Sequence, residues 1–213
     1  MPLVPTSEPF VIAVINLKGG AGKSTAAGYT AAALAERGLR VLSVDADRPQ
    51  FSLLNWHKAI APTWDCVELA TDDLDIRLPG IYGDRYDAVV IDTPPTENGR
   101  DVALSAARAA THVLVPVAPS AVEFAGLPNT RSLLDRATEQ GAEFEHGMVI
   151  IKWRASSSSG PFYTNRALRE GWHVLRAHVP LWEVYMQAVG LPIERASASG
   201  YGWAVAELLG LED

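Results

Sequence analysis

Residues 18–25, Lys18-Gly19-Gly20-Ala21-Gly22-Lys23-Ser24-Thr25, constrain this chain more than any other stretch. They follow an apolar run, Phe10–Ile15, and open a helix-like pattern, Ser24–Arg37. Strand, glycine turn and helix in that order present backbone N–H groups at a helix N-terminus, where unpaired donors and the helix dipole favour oxyanions. Gly19, Gly20 and Gly22, with the small Ala21 between them, let the backbone curl around phosphate oxygens. Lys23 supplies a cation for the outer phosphates and Ser24 a hydroxyl for Mg²⁺, with Thr25 following at the helix start. The usual spacing begins with a glycine at the position held here by Leu17.

The rest of the chain alternates short apolar runs with longer helical patterns. The runs are Phe10–Ile15, Val41–Val44, Ala88–Ile91, His112–Val117, Met148–Ile151 and Val174–Val179. Each is apolar at successive positions, the mark of strands buried on both faces and hence of a mostly parallel sheet. Helical stretches fall at Ser24–Arg37, Gly99–Ala110, Ala121–Gln140, Phe162–Gly171 and Gly200–Leu209, with Gly38 and Gly141 where C-terminal caps belong. This predicts a three-layer α/β domain, helices on both faces of the sheet, over residues 10–213. Met1–Pro9, with three prolines, reads as a loose leader, and Ser156–Ser159 before Gly160 as a mobile loop. Cys66 has no partner for a disulfide, and no run approaches the ~18–20 apolar residues that span a bilayer. A cytoplasmic protein is expected.

Two further elements carry acids at strand ends. Val41-Leu42-Ser43-Val44 leads into Asp45-Ala46-Asp47, whose carboxylates at i and i+2 point the same way beyond the sheet's carboxyl edge, where ligands of open α/β sheets bind. Ala88-Val89-Val90-Ile91 ends in Asp92, followed by Thr93-Pro94-Pro95. An apolar strand closing on an aspartate grips Mg²⁺ through water, and the two prolines stiffen the segment beyond it. Together with the glycine loop, the three elements predict ATP and Mg²⁺ binding.

The motif Lys18-Gly-Gly-x-Gly-Lys-Ser resembles the deviant Walker A loop of the ParA/MinD family of ATPases, over most of Phe10 to about Leu209. The resemblance implies a P-loop NTPase fold and a slow, partner-stimulated ATPase. It makes Lys18 the signature lysine, which reaches the ATP of the partner subunit in a nucleotide-sandwich homodimer, and Lys23 the ordinary P-loop lysine. Asp47 becomes the acid that positions water, Asp45 a support of the metal shell beside Ser24 and Asp92, and Thr93, Pro94 and Pro95 the second switch. Arg48 is inserted before Pro49-Gln50, a departure from the family's first switch. Val115-Pro116-Val117-Ala118-Pro119-Ser120 with Val122-Glu123-Phe124, and Ser52-Leu53-Leu54-Asn55-Trp56, resemble short ParA-type plasmid partition proteins. These bind nucleoid DNA non-specifically as ATP dimers and are released by a cargo-bound, ParB-like adaptor.

Charge gives the DNA expectation a partial footing. Lys152 to Arg195 holds six basic residues against three acids, a local +3 in a chain of net charge −7. Lys152, Arg154, Arg166 and Arg169 are the candidate DNA contacts, the last pair three apart on one helix face. Pro180 is placed near the base by the same resemblance. The six tryptophans are too scattered for a stacking stripe and read as core or dimer contacts. An acidic C-terminus, Leu211-Glu212-Asp213, argues against a membrane-bound member, and a single cysteine against a cluster-bridging reductase. Two alternatives stay open: the same switch positioning a protein organelle or receptor array, and a metabolic P-loop ligase acting on a small carboxylated substrate.

Overall fold

The computed structural model describes residues 8–211, backbone alone at 96–98 and 186. The expected leader therefore lies mostly outside the described residues, as do Glu212 and Asp213. Seven strands form one parallel sheet: β1 (Phe10–Val14), β2 (Val41–Asp45), β3 (Asp65–Glu68), β4 (Ala88–Asp92), β5 (His112–Val117), β6 (Glu145–Trp153) and β7 (Val174–Pro180), in the order β3-β2-β4-β1-β5-β6-β7. The helices are α1 (Lys23–Glu36), α2 (Ser52–Ile60), α3 (Leu74–Tyr82), α4 (Thr96–Ala109), α5 (Ala121–Glu139), α6 (Ser159–Arg169), the single turn α7 (Glu183–Met186) and α8 (Gly200–Leu208).

Two buried clusters, one on each face, account for the unbroken apolar strands. Val11, Ala13 and Ile15 pack with α3, α4 and α5, whereas Ile12 and Val14 pack with α1, α2 and α8. β4 divides in the same way, Val89 and Ile91 against Ala88 and Val90. This is the doubly covered α/β sheet that the runs predict. α1 carries Ala26, Ala27, Ala31, Ala32 and Ala33 on its buried positions, so its axis can approach the sheet closely. Pro116 is tolerated inside β5 because it lies past the last β1 pair, where its carbonyl accepts the Asn16 side-chain amide at 2.8 Å.

The structure adds elements that the apolar pattern missed. β3 is a four-residue edge strand, Asp-Cys-Val-Glu, half exposed and too polar to register as a buried run. α3 contains Pro79, and α2 is only nine residues long, in a region without an extended helical pattern. β6 is nine residues long rather than four, because its ends are polar. Gly38 and Gly141 do follow helices in the left-handed region, at φ 87° and 92°. Ser156–Ser159 is a closed turn rather than a loose loop. The Ser157 N–H donates to the Arg154 carbonyl at 3.0 Å, the Ser157 and Ser159 hydroxyls meet at 2.5 Å, and α6 starts at Ser159.

Candidate nucleotide site

The chain reverses its spread across the sheet at β1, so the carboxyl ends of β1, β2 and β4 meet beneath the glycine loop. Gly20 and Gly22 hold φ of 74° and 75°, conformations that glycine alone adopts cheaply. Gly22 is the N-cap of α1 and contributes no side-chain cap, which leaves donors of the first turn available to an anion. Lys23 is only 7% exposed and donates to the Lys18 carbonyl at 3.3 Å. Burial lowers its ammonium below the usual lysine value, against the opposing pull of Asp92, Asp47 and Glu123.

Asp45 and Asp92 stand opposite one another in the β2–β4 register, and Val14 stands opposite Asp92 on the other side. Asp92 is wholly buried, and neither carboxylate oxygen has a hydrogen-bond partner among the described residues. Burial pushes its carboxyl up to about 7, although the nearby Ser24 hydroxyl and Lys23 favour the anion. Two unpartnered buried oxygens beside a serine hydroxyl are a donor set suited to a hard divalent cation, so Mg²⁺ fits here. Thr93 donates its hydroxyl to the Val14 carbonyl at 2.7 Å, fastening the end of β4 to that of β1. Pro94 sits against Gly99 on α4, where an added Cβ would come within 2.2 Å of it, and Pro95 is the N-cap of α4.

Both oxygens of Asp45 accept backbone N–H groups. One of its oxygens accepts the Asp47 N–H at 3.0 Å and the other the Leu54 N–H at 2.9 Å. Its carboxylate is thus occupied in folding the loop after β2 back onto the start of α2. Asp47 is left half-buried at the turn, its carboxyl raised by burial while Lys23 pulls it down. Arg48 beside it is exposed.

Lys18 is held by α5. Its ammonium lies 2.5 Å from Oε1 of Glu123, in the first turn of α5, and its N–H donates to the Asn16 side-chain oxygen at 3.0 Å. Sequence reasoning places Glu123 only within a family-like stretch and misses its pairing with Lys18. The available signal was Ser120-Ala-Val-Glu123, a helix-start pattern in which serine and glutamate cap each other's N–H groups. Only half of that pattern is built. Ser120 accepts the Glu123 N–H at 3.3 Å, but its own N–H turns to the Ala118 carbonyl, and Glu123 turns to Lys18.

A cleft of about 680 Å³ extends from Gly20, Gly22 and Thr25 to Lys152, Pro180 and Trp182. Pro180 therefore lines the same cleft as the glycine loop. Lys152 holds φ 55°, a strained backbone for a side chain bearing a Cβ. Trp182 is 60% exposed and lies parallel to Tyr185, at 4° with ring centroids 6.0 Å apart. Among the tryptophans, Trp56, Trp64 and Trp172 are core residues as expected; Trp182 is a cleft wall. The four candidate DNA contacts do not share one place. Lys152 and Arg154 line the nucleotide cleft, Arg166 is paired with Glu170 at 2.7 Å, and Arg169 borders a separate hollow with Phe162 and Leu168.

Comparison with known proteins agrees with this geometry. A family model described as an AAA domain matches residues 10–60. The chain is 33% identical over 199 residues to the maintenance of carboxysome distribution protein A of Gloeobacter kilaueensis, covering 92% of this chain and 84% of that one. It is 28% identical over 212 residues to the protein of the same name from Halothiobacillus neapolitanus, covering 92% and 91%. Its fold resembles the septum site-determining protein MinD of Pyrococcus horikoshii complexed with Mg-ADP, with a TM-score of 0.68 at 19% identity, over 96% of this chain and 98% of that one. With its glycine loop, paired strand-end acids and full-length relatives, the chain belongs to the ParA/MinD family of ATPases.

Proposed function

We propose that this protein is a Mg²⁺-dependent ATP hydrolase that dimerises around two ATP molecules and uses the dimer as a DNA-associated positioning switch. The observation that carries the reading is the divergence of two lysines from one loop. Lys23 is buried among the acids of its own site, whereas Lys18 is only partly buried and paired with Glu123 on α5. A cation supplied in trans at a transferring phosphoryl group is worth about 10³–10⁵ in rate. Hydrolysis that needs Lys18 from a second copy is therefore slow in the monomer and rises with protein concentration.

In this reading Gly19, Gly20, Ala21, Gly22, Ser24 and Thr25 bind the phosphates, and Lys23 neutralises the outer ones. Ser24 and Asp92 hold Mg²⁺, which when bound supplies Lewis-acid stabilisation to the phosphate oxygens. Asp47 orients water, and Asp45 positions the loop that carries it. Thr93, Pro94 and Pro95 form the stiff segment through which loss of the terminal phosphate reaches α4. Lys152, Arg154, Pro180 and Trp182 belong to the base end of the cleft, which leaves Arg166 and Arg169 as the DNA contacts.

The cargo favoured by the full-length relatives is a protein organelle of the carboxysome kind, bridged by an adaptor that stimulates hydrolysis. No helix among the described residues is long and apolar enough to cross a membrane. DNA retention tests the reading. With ATP present, the wild type is retained on non-specific duplex DNA and released as salt rises. The Arg166→Glu/Arg169→Glu variant elutes at lower salt while keeping its ATP affinity. Unchanged retention removes DNA from that surface, and no ATP-dependent retention in the wild type removes the positioning switch.

A further inference from the structure

We propose that Glu123 is a positioning residue that restrains Lys18 and so sets how much negative charge a nucleotide must carry before two copies can pair. This rests on the sandwich-dimer reading above.

Three observations support it. The Lys18–Glu123 contact is short, 2.5 Å, and joins residues 105 apart in the chain, so it closes a tertiary link rather than a local turn. The Glu123 side chain is only 11% exposed, and its second oxygen is buried without a hydrogen-bond partner among the described residues. Losing Lys18 would therefore leave a mostly buried carboxylate without its ion-pair partner. Finally, Glu123 has given up the reciprocal cap that its place in Ser120-x-x-Glu123 offers, while Ser120 still fixes its backbone. The carboxylate is held in place and Lys18 is the movable member.

The position of Glu123 explains why its hold should matter. The buried Lys23, which meets the terminal phosphate in the proposed site, lies in the field of Asp92, Asp47 and Glu123. The γ-phosphate would thus enter beside the restraining pair. Lys18 leaves Glu123 only when the anion offered across the dimer outweighs the cost of the stranded carboxylate. A ligand shifts such an equilibrium solely by its differential interaction with the two states. ATP offers the extra charge and ADP does not. Glu123 thereby converts a lysine that would answer any bound nucleotide into one that answers the triphosphate.

Light scattering on the full chain, over a concentration series with Mg²⁺ and either ADP or ATP, tests this. The wild type should pair with ATP alone. Glu123→Gln, which keeps shape and removes charge, should pair with ATP at about tenfold lower concentration, the factor for a partly buried ion pair, and should also pair with ADP. Glu123→Asp should retain the wild-type preference for ATP, and so should Ser120→Ala, which loosens the helix start without touching the charge. If Glu123→Gln keeps the wild-type midpoint and stays monomeric with ADP, the restraint is wrong although the dimer stands. If Ser120→Ala alone reproduces the change, Glu123 serves α5 and not Lys18. If the wild type fails to pair with ATP, the sandwich reading falls and takes this proposal with it.

Discussion

The Trp56 indole N–H donates to the Leu191 carbonyl at 2.7 Å, across 135 residues of sequence. This bond ties α2, which follows the Asp47 turn, to the segment that also carries Trp182 and Tyr185. The Trp56 ring lies against Gly28 on α1, where an added Cβ would stand 2.5 Å from the ring. The Asp47 loop and the segment that carries the Trp182 wall of the cleft are therefore joined through one buried side chain.

Gly28→Ala sets two effects against each other. Helix propensity alone favours alanine by about 1 kcal/mol. Overpacking a buried ring costs typically about 1–3 kcal/mol, and Trp56 is fixed by its bond to Leu191. The clash wins, so the variant should melt several degrees lower, at roughly 2–4 °C per kcal/mol for a chain of this size. Thermal unfolding by circular dichroism checks the sign; a rise would mean that Trp56 yields easily.

Glu36 at the end of α1 accepts from the N–H groups of Ala196 and Ser197, both at 2.8 Å, and from the Ser197 hydroxyl at 2.6 Å. Burial alone would raise its carboxyl, but these bonds outweigh it and hold the group below its usual value. A depressed carboxylate contributes stability above its unfolded pKa, lost as pH falls through the folded one. Glu36→Gln should cost about 1–2 kcal/mol at neutral pH. The gap from the wild type should close as pH drops below about 4. Denaturant melts at pH 7 and pH 3.5 give the comparison.

Asp92 has the opposite sign. Its carboxyl is raised to about 7, so the nucleotide-free protein loses stability as pH climbs from the ordinary aspartate range toward neutrality and beyond. Asp92→Asn should therefore melt higher than the wild type at pH 8 without ligand. The same variant should lose Mg²⁺-dependent ATP turnover by about a hundredfold or more, since the metal's anionic partner is gone. Stability and turnover measured on one preparation decide whether this aspartate is kept for function at the expense of the fold.

In the proposed reading Trp182 bears on the base rather than on the phosphates. Base–aromatic stacking is worth about 1–3 kcal/mol by alanine substitution, so Trp182→Ala should weaken ATP and ADP roughly 5- to 150-fold. Trp182→Phe should recover part of the loss. Pyrophosphate affinity, measured by calorimetry, should stay at the wild-type value in both variants. Equal weakening of pyrophosphate would place Trp182 in general cleft structure.

Much of the fold was legible in the sequence because the strongest constraints are local. Phe10–Ile15 with the glycine loop after it fixes a strand, a turn and α1 within one short stretch, and Ile91-Asp92-Thr93 marks the end of β4 equally well. The elements that escaped lack a strong local signal. β3 is short and polar at an edge, and α3 hides behind Pro79. In the site, the acids were found by their place at strand ends, but their hydrogen-bond partners were not. Asp45 is occupied by two backbone N–H groups from its own loop while Asp92 is left unpartnered, a difference that depends on how the loop after β2 folds. Lys152 and Arg154, read by charge as DNA contacts, line the cleft at the end of β6, a placement that charge alone does not reveal. Glu123 could not be paired with Lys18 before the fold brought the loop after β1 against the start of α5.

The central claim is that Lys18 acts on a nucleotide held by a second copy, and sedimentation velocity tests it most directly. Wild type and Lys18→Ala are each run with ADP, with ATP and with a non-hydrolysable ATP analogue. A lysine acting in trans predicts a wild-type dimer with ATP and the analogue, a monomer with ADP, and a Lys18→Ala variant that stays monomeric throughout while still binding nucleotide. A Lys18→Ala protein that dimerises like the wild type, or a wild type that is equally dimeric in all three conditions, would contradict it.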